Sequence, residues 1–179
     1  MGKRMSEVIL AIEQVFDKKL TVRFVDEFRS RTFTRFHQEL QLVSGAKEFI
    51  KIFDHDPRCI ASSSSPERLK LCLKILAIQH DFEPYVFSSS MVTNGKPHPD
   101  IFLHAAKEMG ADPVQSIVIE DSVSGVQAGI AAGMTVIGLT AASHIPQDHH
   151  KHLLSAGAHH IATTFDEATA ITRNLLNHS

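Results

Sequence analysis

Residues 117–125 read Ile-Val-Ile-Glu-Asp-Ser-Val-Ser-Gly, and this stretch decides the fold. The three apolar residues indicate a short buried strand, which ends at the carboxylates of Glu120 and Asp121. A helix follows at once, with Val126 and Ile130 at the spacing of an inward face. A strand that leads directly into a helix is typical of a parallel sheet with helices packed on both of its faces.

The same alternation of strand and helix extends in both directions from this stretch. Short apolar runs predict four further strands, at 58–62, 85–87, 134–139 and 160–163. Between them we expect a helix that begins at Pro66, a helix over 99–109, a short helix in the His-rich segment and a closing helix through Leu176. These elements predict an α/β fold with a Rossmann-like parallel sheet and flanking helices.

The first 53 residues show helical periodicity and no strand signal. Three helices are expected, each with one apolar face. The first face contains Met5, Ile9, Ile12 and Phe16, and the second contains Val22, Val25, Phe28, Thr32 and Phe36. The third face contains Ala46, Phe49, Ile50 and Phe53. Ser44 is the expected N-cap of the third helix. We therefore predict two parts, a partial helical cap at 1–43 and an α/β core at 44–179.

Composition excludes several classes of protein. The chain has 179 residues, enough for one stable domain, with 43% hydrophobic and 21% charged residues. Its 18 basic and 20 acidic residues give a net charge of −2, which argues against a nucleic-acid-binding protein. No apolar run reaches the roughly 20 residues that span a bilayer, and no secretory signal pattern is visible. The two cysteines lie in apolar surroundings typical of reduced thiols, so we expect a cytoplasmic protein without a membrane partner.

Three polar clusters follow predicted strands, at the sheet edge where α/β proteins bind ligands. The first is the run of four serines at 62–65, whose hydroxyl and backbone N–H groups suit an anion, although a polar turn with an N-cap serine is the alternative. The second is Asn-Gly-Lys-Pro-His-Pro-Asp at 94–100, where Lys96 is either a site residue or a solvated turn lysine.

The third cluster is the carboxylate pair of Glu120 and Asp121. Two consecutive carboxylates at the end of a buried strand are costly unless a positive charge lies beside them. Mg²⁺ suits them because it prefers carboxylate and phosphate oxygens. The alternative is a pair of residues that caps the following helix.

These stretches resemble a known family when they are taken together. Ile60-Ala61-Ser62, residues 95–100 and residues 119–125 resemble motifs two, three and four of the haloacid dehalogenase-like phosphohydrolases. The nearest subfamily carries a helical cap after motif one and includes β-phosphoglucomutase and sugar-phosphate phosphatases. Gly2-Lys3 and the helix at 5–16 resemble the middle of that cap.

The resemblance implies a role for each matching residue. Ser62 and Ser63 would bind the phosphoryl group, and Lys96 would neutralise it during catalysis. Asp121 would hold Mg²⁺, with Glu120 as a second ligand or as a carboxylate behind the first. Asp100 and Ser122 would shape their turns. The implied reaction is hydrolysis or transfer of a phosphoryl group from a small phosphorylated metabolite through an aspartyl-phosphate, and phosphatase and mutase remain open.

The chain departs from the family at its beginning. The family starts with an aspartate-any-aspartate motif on a central strand, and neither that strand nor the first cap helix has a counterpart here. We therefore expect a phosphohydrolase scaffold that is inactive as it stands, or alternatively a pseudoenzyme or a phosphate- or metal-binding module. The strands that end at Ser62 and Glu120 would have unpaired facing edges, so we expect closure of the gap, insertion by another chain through self-association, or local disorder of the first helices.

Two other groups of polar residues are set aside. Asp54 and Asp56 imitate the missing motif, but they follow a helix and only two residues separate Asp56 from Cys59, too few for a crossover between parallel strands. We place them at the amino end of the sheet, opposite the site. The histidines at 144–152 are interpreted as a solvated loop rather than a zinc or nickel site.

Overall fold

The computed structural model describes residues 5–177, with side chains from residue 7 onward. The helices are α1 (Met5–Phe16), α2 (Val22–Glu39), α3 (Ala46–Ile52), α4 (Pro66–Ile75), α5 (Asp100–Met109), α6 (Val123–Ala131), α7 (His149–Ser155) and α8 (Phe165–Leu176). The strands are β1 (Ile60–Ser62), β2 (Val86–Ser88), β3 (Ile117–Glu120), β4 (Thr135–Leu139) and β5 (His160–Ala162). Single turns of 3-10 helix lie at Gln79–Asp81, Ser89–Met91 and Pro113–Gln115. The predicted cap residues Gly2 and Lys3, and the side chain of Met5, lie outside the described part.

All of the strand pairs in the described chain are parallel. β1 pairs with β2, and β4 lies between β3 and β5. Helices alternate with these strands along the chain, so the predicted α/β class with parallel strands is confirmed. No helix within residues 5–177 is both long and apolar enough to cross a membrane.

The strands form two sheets rather than one. Within residues 5–177, β1 pairs only with β2, and β3 pairs only with β4. The predicted closure of the gap between β1 and β3 is therefore wrong for this chain, since no backbone ladder joins them. Insertion by another chain stays a prediction.

Residues that alternate along β4 point to two hydrophobic layers. Val136 is fully buried against helices α5, α6 and α7, whereas its neighbour Ile137 is fully buried on the opposite face. Ile101, Val126 and Leu153 complete the first layer. Ala162 and Ala168 belong to the second, where α3 and α8 pack. Both faces of the larger sheet are thus covered, which leaves its strand ends as the place for polar chemistry.

One expectation for the first 53 residues is wrong, and the structure adds a finding about α2. Gly45, rather than Ser44, precedes α3 as its N-cap, with a φ of 80° that glycine adopts without strain. The apolar stripe of α2 is not buried, because the helix contacts the core mainly through α4 and contains no buried residue. Val22 is 78% exposed and Phe28 is 48% exposed. Periodicity correctly predicted the helix but could not show how little of its apolar face is covered.

Candidate active site

Lys96 joins the ends of the two sheets. Its side chain is buried, and its ammonium donates one hydrogen bond to the Ala61 carbonyl in β1, at 3.2 Å, and another to the Glu120 carboxylate in β3. The ammonium also lies 4.7 Å from the centre of the Phe102 ring, within the range of a cation–π contact. A buried lysine is costly unless it is paired, so these contacts explain how the cation is tolerated.

A braced turn carries Lys96 into this position. Asp100, the first residue of α5, accepts hydrogen bonds from the backbone and side-chain nitrogens of Asn94, at 3.1 and 3.0 Å. These hydrogen bonds lower the pKa of the Asp100 carboxyl below its ordinary value. The peptide bond between Lys96 and Pro97 is cis. The hydrogen bonds between Asn94 and Asp100 thus join the two ends of the segment that contains Lys96.

Glu120 is held on both of its carboxylate oxygens. One oxygen pairs with Lys96, and the other accepts hydrogen bonds from the Ser122 amide, at 3.3 Å, and the Ser122 hydroxyl, at 3.0 Å. The same hydroxyl accepts a hydrogen bond from the Gly125 amide at 3.0 Å and so caps α6. A Cβ atom at position 125 would collide with the Glu120 carboxylate, which explains why glycine suits this turn.

Asp121 carries a carboxylate without full compensation of its charge. Burial raises the pKa of this carboxyl and the neighbouring Glu120 raises it further, while His144 and Lys96 act in the opposite direction. The backbone carbonyl of Asp121 accepts a hydrogen bond from Nε2 of His149 at 2.7 Å. A divalent cation beside the carboxylate would relieve the cost of burial.

The residues around Asp121 fit a Mg²⁺ site that has few protein ligands. Within residues 5–177, no three side chains of His, Cys, Asp or Glu converge on one point. Mg²⁺ is commonly held by one or two carboxylates, with water and phosphate oxygens as its other ligands. Asp121 with Glu120 beside it matches that pattern, and Glu120 is also engaged by Lys96 and Ser122.

The serine run at 62–65 forms a turn supported by the neighbouring strand. The Ser62 hydroxyl accepts a hydrogen bond from the Ser64 amide at 3.2 Å. Two buried serines at the end of β2 donate to the carbonyls of the same turn, Ser88, the last residue of the strand, to Ser64 at 2.7 Å and Ser89 to Ser63 at 3.3 Å. Ser65 caps α4, so the alternative interpretation as a capping serine applies to Ser65, whereas Ser62 is the last residue of β1.

A cavity of about 220 Å³ adjoins the carboxylate pair. It is lined by Glu120 and Asp121 and by apolar side chains that include Val43, Ile119, Leu139 and Phe165. The carboxylates thus border a concave space large enough for several water molecules or a small polar group.

The structure also locates the polar residues that were set aside. Asp54 follows α3, and the Asp56 amide donates to the Phe53 carbonyl at 3.2 Å in the turn before β1. Both aspartates therefore precede β1, as predicted. The solvated-loop interpretation holds for His144, which is exposed, but it is wrong for His149, which contacts Asp121.

Sequence reasoning missed the support given by Ser88, Ser89 and His149. A signal was present for the two serines, because the run at 88–90 follows a predicted strand in the same way as the run at 62–65. No local signal marks His149, since its partner lies 28 residues away. Its role becomes visible only when α7 is packed against the sheet.

Comparison with known proteins identifies the family of this chain. The model of the haloacid dehalogenase-like hydrolases matches residues 3–133. The chain therefore belongs to the haloacid dehalogenase-like hydrolase family.

Solved structures show the same fold. A haloacid dehalogenase-like protein of unknown function from Agrobacterium tumefaciens is 31% identical, with a TM-score of 0.82 over 96% of this chain and 78% of that chain. A family hydrolase from Deinococcus radiodurans, solved with bound phosphate and sodium, is 30% identical, with a TM-score of 0.77 over 98% of this chain and 77% of that one.

Curated relatives include phosphatases. The chain is 31% identical over 117 residues to the 6-phosphogluconate phosphatase of Escherichia coli. The matched segment covers 65% of this chain and 52% of the relative. It is 35% identical over 120 residues to the bifunctional riboflavin kinase/FMN phosphatase of Arabidopsis thaliana. That match covers 64% of this chain and 32% of the relative. The chain thus spans from about a third to about half the length of these two proteins.

Proposed function

We propose that this chain supplies the phosphate-binding and magnesium-binding part of a phosphohydrolase that acts on a small phosphorylated metabolite. The observation that carries the proposal is the buried ammonium of Lys96, which lies between the end of β1 and Glu120 of β3. Ser62, with its hydroxyl, directly follows Ala61 in the sequence, and Asp121, with its carboxylate, directly follows Glu120.

Phosphoryl transfer depends mainly on positioning and on neutralising charge that spreads over the phosphoryl oxygens. Ser62 is suited to donate its hydroxyl proton to such an oxygen, because its own lone pair already accepts the Ser64 amide. Lys96 contributes positive charge, and its contact with Ala61 orients the ammonium at the end of β1. Ser63 belongs to the same turn and is proposed as a further phosphate-binding residue.

Asp121 is the proposed ligand of Mg²⁺, with Glu120 as a second ligand or as the group that supports the first. A metal held there would supply positive charge in addition to that of Lys96 and would polarise a phosphoryl oxygen. Glu120 has a further task in this proposal, because its contacts with Lys96 and Ser122 hold the lysine and the start of α6 together.

The names of relatives support the proposed substrate class. The two phosphatases named above specify 6-phosphogluconate and FMN. A further relative from Escherichia coli, 36% identical over 81 residues, is named for fructose 1-phosphate, and all three are small phosphorylated compounds. In the family mechanism the phosphoryl group passes through an aspartyl-phosphate. Asp54 and Asp56 precede β1, so neither is proposed as that aspartate. Binding of phosphate without turnover is the second candidate function, favoured by the lack of a backbone ladder between β1 and β3 in the described residues.

Release of phosphate by the 179-residue chain tests both candidates. The chain is incubated with Mg²⁺ and each of the three named phosphorylated compounds, while calorimetry measures binding of inorganic phosphate. Ser62→Ala and Asp121→Asn are the test variants, and the exposed Ser155→Ala is the control.

If the chain is a phosphohydrolase, Ser62→Ala loses activity by about 100-fold because it removes one stabilising donor. Asp121→Asn loses at least as much because it removes the charged metal ligand, and the control keeps the parent activity. Phosphate binding without release, weakened in both test variants, contradicts turnover by this chain alone and supports the second candidate. Activity that survives both test variants contradicts the assigned site, and the absence of both binding and release contradicts both candidates.

A further inference from the structure

We propose that His149 is a positioning residue that orients Asp121 for metal binding. This inference rests on the proposed function, because it concerns the proposed metal ligand. The observation that carries it is the hydrogen bond from Nε2 of His149 to the Asp121 carbonyl, at 2.7 Å. The acceptor is a carbonyl, so Nε2 carries the proton, which the neutral imidazole can supply in one of its tautomers.

The imidazole is held in place by the packing of α7. His149 and Leu153 are four residues apart and so lie on the same face of this helix. Leu153 is fully buried and packs close to Gly138 of β4. The ring of His152 lies 6.0 Å from that of His149 in an edge-to-face arrangement. The inward face of α7 thus brings His149 to the end of the sheet.

The contact completes a restraint on a single peptide group. The Asp121 carbonyl and the Ser122 amide belong to the peptide bond between these two residues. His149 binds the oxygen of this group at 2.7 Å, and the Glu120 carboxylate accepts its N–H at 3.3 Å. A peptide bond is planar, so contacts at both of its ends fix its orientation.

This peptide group includes the Asp121 Cα, from which the carboxylate side chain extends. The two contacts restrict the backbone at Asp121, and so they restrict the position from which the carboxylate can reach a metal. Groups that orient a metal ligand through a hydrogen bond typically change metal affinity by 10- to 100-fold when they are removed. His149 has this relation to Asp121 although it lies 28 residues further along the chain.

Direct metal binding tests the inference without requiring turnover. Mn²⁺, used alone as a paramagnetic substitute for Mg²⁺, is titrated into the 179-residue chain, and the free ion is measured by electron paramagnetic resonance. His149→Phe keeps the ring and removes the donor, whereas His149→Gln retains an N–H donor. The matched control is His150→Phe, because His150 also contacts a backbone carbonyl, that of Gln147 at 2.9 Å, away from Asp121.

We expect His149→Phe to weaken Mn²⁺ binding by about 10-fold or more, His149→Gln to recover most of the loss, and His150→Phe to bind like the parent chain. Thermal unfolding without metal accompanies each variant. A purely structural role would lower the unfolding midpoint without a selective loss of Mn²⁺ affinity in the folded variant, or without recovery in His149→Gln, and either result overturns the inference.

Asp121→Asn separates this inference from the proposed function. If Asp121→Asn abolishes Mn²⁺ binding but His149→Phe binds like the parent, the metal site stands and the role of His149 is refuted. If Asp121→Asn leaves binding unchanged, or if the parent chain binds no Mn²⁺, the metal site itself is refuted, and the role of His149 with it.

Discussion

Replacement of Lys96 by methionine tests the central contact of the site. Methionine has nearly the same length and fills the same space, but it removes the ammonium that pairs with Glu120 and donates to Ala61 at 3.2 Å. The side chains of Lys96 and Glu120 are only 4% and 11% exposed, so water cannot replace the lost partner. Lys96→Met would leave a buried carboxylate with Ser122 as its remaining donor.

The expected cost follows from the burial of this pair. Removing one partner of a buried ion pair typically destabilises a protein by about 3–5 kcal/mol, because the other charge stays buried and uncompensated. For a chain of this size, each kcal/mol lowers the unfolding midpoint by roughly 2–4 °C, so we expect a drop of about 6–20 °C. Lys96→Met combined with Glu120→Gln removes both charges, and we expect it to recover about 1–3 kcal/mol of that loss.

Urea unfolding of the parent, the two single variants and the double variant gives the coupling directly. The control is Lys151→Met, which breaks an exposed ion pair with Asp148 of 3.3 Å and should cost less than about 1 kcal/mol. The reasoning would be refuted if Lys96→Met unfolded within about 1 kcal/mol of the parent, or if the double variant were no more stable than Lys96→Met alone.

Four further perturbations probe the surroundings of this pair. Gly125→Ala gains about 1 kcal/mol of helix propensity, but the new methyl group must displace the Glu120 carboxylate, an overlap that typically costs about 1–3 kcal/mol. We expect a lower free energy of unfolding in urea. A higher free energy of unfolding would contradict the collision. Mg²⁺ at 100 times its dissociation constant should stabilise the parent by about 2.7 kcal/mol and should not stabilise Asp121→Asn, as measured by thermal unfolding, and equal stabilisation of both would contradict the metal site. Because burial raises the folded-state pKa of the Asp121 carboxyl above its unfolded value, the metal-free parent should lose stability as pH rises between these two pKa values, and Asp121→Asn should lack that loss. The pKa of the Asp100 carboxyl lies below its ordinary value because Asn94 donates to it, so its contribution to stability is present above the unfolded pKa and is lost as pH falls through the folded one. Carbon-detected nuclear magnetic resonance should show this pKa rising in Asn94→Ala, and an unchanged pKa would show that the side-chain amide contributes nothing.

The sequence by itself determined the order of the strands and helices and the edge where the polar residues collect. This was possible because the signals are local. The apolar run before Glu120 predicts a buried strand whatever lies around it, and Pro66 is compatible with the first turn of a helix in any fold. The rule that α/β proteins bind ligands at the carboxyl ends of parallel strands then selected Ser62, Lys96 and Asp121 as site candidates.

Only the tertiary structure decided which partner each polar residue contacts. Glu120 and Asp121 are equivalent carboxylates in the sequence. In the folded chain Glu120 contacts Lys96 and Ser122, whereas burial raises the pKa of the Asp121 carboxyl. The apolar face of α2 has the same periodicity as a core helix, although no residue of that helix is buried. The contact of His149 with Asp121 crosses 28 residues of chain. Periodicity specifies which residues share a face of one element, whereas contacts between distant elements depend on how those elements pack, and no local pattern encodes that packing.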